Sequence, residues 1–196
     1  MREIALDTQA ATTVAIVDNG SVIARAHNDS GCHHAESITP LVREALSAAG
    51  LPAELADAGI DRILVGTGPA PFTGLRAGLV SARVLAAVAG VPAYGVSALD
   101  VIARQGLDLL APDARVYAIA DARRRELYWG AYVAAGPDDV TLEGRLEVGG
   151  VSTLLSAMRS APGLVVAGAP IPAHSADALA RADLGPQVSL DPAVMS

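Results

Sequence analysis

Apolar and polar residues alternate along the start of the chain and then change period. "REIALD" (2–7) and "TTVAIVDNG" (12–20) carry the two-residue repeat of strands, joined by a short turn at Thr8–Ala11. Asn19-Gly20 is a hairpin signal, because both residues tolerate positive φ, and "SVIARAH" (21–27) follows as a third strand. Over 36–50 the apolar positions Ile38, Leu41, Val42, Ala45, Leu46 and Ala49 take the spacing of one helical face, and Gly50 is a plausible stop. Pro40 either opens this helix behind Thr39 or kinks a helix begun earlier. "DRILVG" (61–66) is a short buried strand, 73–90 a second helix ended by Gly90, and "VPAYGV" (91–96) a strand. "SALDVIARQGLDLL" (97–110) is a helix capped by Ser97, with Asp100 three residues on. The pattern then restarts with strands "RVYAIAD", "ELYWGAYV" and "VTLEGRLEV", a short helix "STLLSAMRS", a strand "GLVVAG" and a helix "AHSADALARA". The tail "GPQVSLDPAVMS" reads as poorly structured.

Both halves therefore run strand, strand, strand, helix, strand, helix, and the first strand of each ends in an aspartate, Asp7 and Asp121. A duplicated βββαβα unit is the layout of the actin-like ATPases and sugar kinases, the ASKHA or ribonuclease H-like architecture. It implies an α/β fold with an N-terminal lobe at 1–110 and a reduced C-terminal lobe at 111–196. In that superfamily the two aspartates flank a nucleotide cleft, but a shared fold does not transfer chemistry.

Composition narrows the classes. The chain has 196 residues, 52% of them apolar, a net charge of −7 and 3% aromatics. A sizeable core is available, whereas a basic surface and stacking rings for holding nucleic acid alone are lacking. Cys32 is the single cysteine, so no intrachain disulfide forms. The N-terminus lacks the apolar core of a signal peptide, and the longest charge-free apolar run, Val84–Val91, is far below the ~20 residues that span a bilayer. The expectation is a cytoplasmic protein without a membrane.

"GTGPAPFTGLRAG" (66–78) raises the question of a phosphate loop. Its glycine spacing fits neither the Walker motif nor the dinucleotide fingerprint, and Pro69 and Pro71 remove N–H donors. The stretch is either a stiff turn or, with Thr73 as helix cap, a loop leaving N–H groups for a phosphate. In the helix that follows, Gly74, Gly78, Ala82, Ala86 and Gly90 recur every four residues, while Leu75, Leu79, Val80, Val84, Leu85 and Val88 cover much of the rest. Such a helix must be buried nearly all round: the sheet covers one face, and the other is covered either by its own fold, through the helix at 36–50, or by that helix together with a second chain. The expected partner interface is Ile38, Leu41, Val42 and Leu46 with Gly74, Gly78 and Ala82.

No catalytic or metal site emerges. "CHHAE" (32–36) would need histidine at 37 or 38 for an H-x-x-x-H pair, and those positions are Ser37 and Ile38. "GVSAL" around Ser97 lacks the final glycine of a nucleophile elbow. Asp7 and Asp121 are the best candidates for remnant ATP–magnesium binding, although the turns after them, "DTQAAT" and "DARRRE", contain no glycine. The three arginines of the second turn either meet phosphate or form a hydrated hairpin tip.

The run "VGTGPAPFTGLRAGLVSARVLAAVAGVPAYGVSALDVIA" resembles the TsaB (YeaZ) family, whose pattern is close to G-P-G-S-F-T-G-L-R-x-G; "PFTGLRAG" is the specific part. "IALDTQAATTVAIVDNG", "HHAESITPLV" and "DARRRELYWGAY" fall where that family has its opening strand pair, its H-S-E-x-x-x-P segment and its D-A-R-x-x-E-x-Y hairpin, with His34-Ala35-Glu36 replacing the H-S-E triplet. The resemblance covers 1–135 well. Pro71 and Ala70 depart from the usual Ser and Gly, and the usual C-terminal P-x-Y-L-R is absent. The resemblance implies a non-catalytic subunit of the machinery that makes N6-threonylcarbamoyladenosine at position 37 of tRNA. Its implied partners are a TsaD-type catalytic subunit, which carries the metal-binding H-x-x-x-H, and a TsaE-type ATPase. A homodimer is implied when the chain is alone. Contact with tRNA is implied to be indirect, with no cofactor held tightly and ATP and magnesium entering through the partners. The competing classes are a free-standing actin-like ATPase or small-metabolite kinase and a glycoprotease-like metallopeptidase.

Overall fold

The opening alternation becomes an antiparallel ladder. In a computed structural model, which describes residues 1–9, 11–28, 34–70 and 72–196, β1 (Arg2–Asp7) pairs with β2 (Thr12–Asp18), and β2 pairs with β3 (Ser21–Asn28). Asn19 and Gly20 turn the second hairpin with φ of 50° and 75°. The chain then passes through α1 (His34–Ala48), β4 (Arg62–Gly66), α2 (Phe72–Ala89) and β5 (Ala93–Val96). β4 pairs parallel with β1, and β5 parallel with β4, giving the order β3-β2-β1-β4-β5. The core beneath the helices joins Ile4, Leu6, Ile16 and Ile63 of the sheet to both helices.

The second unit repeats this plan. After α3 (Ala98–Leu107) come β6 (Arg115–Arg123), β7 (Glu126–Ala134), β8 (Val140–Gly149), α4 (Val151–Ser160), β9 (Leu164–Ala167), α5 (Ala173–Leu179) and β10 (Leu184–Gln187). The order β10-β9-β6-β7-β8, read from its other edge, is that of the first sheet, with the same parallel and antiparallel pairs. The repeat is reduced: α4 and α5 have 10 and 7 residues, against 15 and 18 in α1 and α2. This is the duplicated actin-like α/β architecture.

Several local expectations change. Pro40 lies inside α1, which begins at His34, so it does not open the helix. Thr73 is the second residue of α2 and cannot cap it. The compact units are Met1–Ser97 with Asp191–Ser196, and Ala98–Leu190, so a boundary at 110 misplaces both α3 and the tail. α3 goes with the second unit because Leu99, Ile102, Ala103 and Leu107 pack on Val116, Ala118, Tyr132 and Val166. The tail is ordered too. β10 pairs with β9, and a 3₁₀ turn at Pro192–Met195 buries Pro192 and Met195 against β1, β2 and β4. Asp191 caps that turn through Ala193 N–H at 3.0 Å and pairs with Arg25 at 2.7 Å. Short segments with Gly185, Pro186 and Pro192 look irregular locally; their order comes from tertiary contacts.

Candidate functional site

The loop at 66–78 is built around the turn that follows β1. Asp7, at the end of that strand, is 4% exposed, and its Oδ1 accepts the Gln9 N–H at 2.7 Å. Its Oδ2 lies against the backbone of Gly66, where any Cβ would overlap it, and Met195 closes the same spot. Burial pushes the Asp7 carboxyl up to about 6, against the opposing pull of the Gln9 N–H. Thr8 donates its hydroxyl to the Gly74 carbonyl at 2.9 Å, and the Gln9 side-chain amide donates to the Pro69 carbonyl at 3.0 Å. A Cβ on Gly78 would come within 2.6 Å of Thr8 Oγ1. The glycines of the loop thus let β4 and α2 close on the Asp7-Thr8-Gln9 turn. The sequence signal was present in the small residues, but their counterpart lies near the N-terminus, where local pattern gives no pointer to it.

The second aspartate has the same local geometry in a different setting. Asp121 Oδ1 accepts the Arg123 N–H at 2.8 Å, two residues on, as Asp7 does with Gln9. Its side chain is 35% exposed and faces the Arg123 guanidinium at 3.6 Å. The two aspartates lie in separate units. Among the described residues no group of three or more His, Cys, Asp or Glu could hold a metal. Cys32 and His33, the start of the "CHHAE" cluster, lie outside those residues.

The expected partner interface needs correction. Ile38, Leu41, Val42, Leu46 and Ala82 belong to the core of the chain's own first unit, and Gly74 and Gly78 are buried with them. Small side chains face inward because the Thr8 turn and the sheet come close enough to require them. Two positions along, on the opposite side of the cylinder, a second row also repeats every four residues: Phe72, Arg76, Val80, Val84 and Val88. Val80, Val84 and Val88 are each 56% exposed and Phe72 72%, with Arg76 stacked 5.2 Å from the Phe72 ring. The helix is therefore not buried all round within its own unit. By length and composition α2 alone among the described helices could cross a membrane. Its buried row of Gly74, Gly78, Ala82 and Ala86 and its Arg76 and Arg83 fit instead a helix lying on a sheet.

The family profile of TsaD, tRNA N6-adenosine threonylcarbamoyltransferase, matches residues 27–155. The chain is 42% identical over 137 residues to an uncharacterized protein of Mycobacterium tuberculosis, an alignment covering 70% of this chain and 56% of that one. It is 38% identical over 135 residues to the tRNA threonylcarbamoyladenosine biosynthesis protein TsaB of Escherichia coli, covering 67% and 55%. The chain thus spans a little over half the length of these curated relatives. A crystal structure of a Pseudomonas aeruginosa protein described as similar to peptidase YeaZ superposes with a TM-score of 0.75 at 25% identity, over 99% of this chain and 88% of that one.

Proposed function

The chain belongs to the TsaD family of tRNA N6-adenosine threonylcarbamoyltransferases, on its TsaB (YeaZ) branch, and from that premise we propose that it is a scaffold subunit of tRNA modification with no active site of its own. It docks on a TsaD-type catalytic subunit that forms N6-threonylcarbamoyladenosine at position 37. A TsaE-type ATPase joins the assembly, and the chain pairs with a second copy when no partner is present. ATP and magnesium enter through those partners, and the assembly works in the cytoplasm.

One observation carries this reading: the outward row of α2, where Val80, Val84 and Val88 stand in line on a helix whose other side is already packed. Aligned valines on a helix surface favour a helical partner, because ridges at four-residue spacing fit the grooves of another helix. The setting of Asp7 also favours a scaffold over a free-standing ATPase or kinase. A carboxylate that bridges magnesium and phosphate must be reachable, whereas Asp7 is 4% exposed, with its Oδ2 against Gly66.

Co-expression with a TsaD-type subunit tests the assignment. Wild-type chain is expected to co-purify with it, and Val80→Asp/Val84→Asp to lose it while remaining folded. Titrating ATP–magnesium into the purified chain is expected to give no micromolar binding; such binding would favour the kinase reading instead.

A further inference from the structure

Two hairpins of this chain turn through similar positive φ with very different residues. Between β2 and β3 the turn positions are Asn19 and Gly20, at φ of 50° and 75°. Between β6 and β7 they are Arg124 and Arg125, at 51° and 65°, preceded by Arg123 at 63°. Asn-Gly is the usual solution for a turn with positive φ at both positions, and a long side chain is disfavoured there. Closing the hairpin does not call for arginine. What arginine adds is charge, since all three side chains are exposed at the tip.

Part of that charge has no acidic partner among the described residues. Every basic residue apart from histidine is an arginine, and the net charge is −7. Arg2 pairs with Asp18, Arg62 with Glu3, and Arg115 with Glu143. Arg123 faces Asp121, at 3.6 Å. Arg124 and Arg125 make no ion pair among the described residues. Unfavourable backbone held at a surface tip points to a demand on the side chains, and the side chains here are two adjacent free guanidinia.

We propose that the Arg124–Arg125 tip contacts the phosphodiester backbone of tRNA. The inference rests on the proposed role in tRNA modification, which supplies the polyanion, and it replaces the purely indirect route to tRNA with a direct contact. A guanidinium fork meets two phosphate oxygens at once, and contacts of this kind position an RNA without reading its sequence. The acidic surplus of the chain does not forbid this, because at physiological salt the field of exposed charges fades within about 8 Å.

The test replaces the tip with the residues of the other hairpin, Arg124→Asn/Arg125→Gly, which keeps the turn. Binding of unmodified tRNA is followed by fluorescence anisotropy from about 50 to 200 mM salt, for the full chain alone and for its complex with a TsaD-type subunit. The variant is expected to keep its thermal stability and its partner affinity. Its tRNA affinity should fall roughly tenfold, and the slope of log K against log salt should become shallower by about 1.5–2, as for two lost phosphate contacts. Arg124→Lys/Arg125→Lys should retain most of the slope. Unchanged affinity and slope would overturn the proposal. So would a loss of partner affinity with tRNA binding intact, which would mean that the tip meets an acidic protein surface. If the wild-type chain does not assemble with the partner, the scaffold reading fails by itself and the chain-alone measurement decides the tip; no tRNA binding by wild type in either form overturns it.

Discussion

The two sides of α2 obey the same four-residue period and have opposite fates. Gly74, Gly78, Ala82 and Ala86 are buried, with Gly78 pressed against the Thr8 turn. Phe72, Val80, Val84 and Val88, two positions over, face out. Small residues mark where this helix meets its own lobe, and large apolar ones stand on the side that its own lobe leaves exposed. Periodicity alone reveals a row; only the neighbouring backbone decides whether that row faces in.

The strongest way to break this contrast is to overfill the inner side. Gly78→Leu drives a side chain into Thr8, 2.6 Å from where its Cβ would stand, and is expected to cost about 3 kcal/mol or more of folding stability in denaturant unfolding. Retained stability with loss of partner would return the small row to the interface. Gly66→Ala attacks the same seam from β4, with an expected loss of about 2–3 kcal/mol. Combining it with Asp7→Ala, which removes the carboxylate the new methyl overlaps, should recover a good part of that loss, and strict additivity would show that the two residues do not meet.

The same turn makes a smaller, pH-dependent prediction. Asp7 has a pKa of about 6 in the folded chain against an ordinary 3.8. Between these values the folded state holds a proton that the unfolded state has released, so stability falls as pH rises through the window. Above it the buried charge costs about 1–3 kcal/mol. Asp7→Asn is expected to flatten the profile between about pH 4 and 6 and to be the more stable protein near pH 7.5. A wild-type stability that rises with pH across that range would contradict the burial described.

Much of the fold was legible because strand alternation, the Asn19-Gly20 turn and the duplicated order are local signals. The placement of α3 and of residues 191–196 was not, since both depend on which sheet they pack against rather than on their own pattern. The site was legible in part. The residues of 66–78 identify the loop, and Asp7 stands out at a strand end. The coupling of Asp7 to Gly66 and of Thr8 to Gly78 joins distant segments, so no spacing rule exposes it. The unusual backbone of Arg124 and Arg125 has no signature in the sequence beyond three arginines in a row.

The smallest expected effect on the fold belongs to the outer row, and it carries the central claim. Isothermal titration of a TsaD-type subunit with wild-type chain and with Val80→Asp/Val84→Asp, alongside denaturant unfolding of both, tests that claim most directly. The expected result is unfolding free energy within about 0.5 kcal/mol of wild type, together with loss of measurable binding. Wild-type affinity in the doubly substituted chain would show that the partner meets another surface.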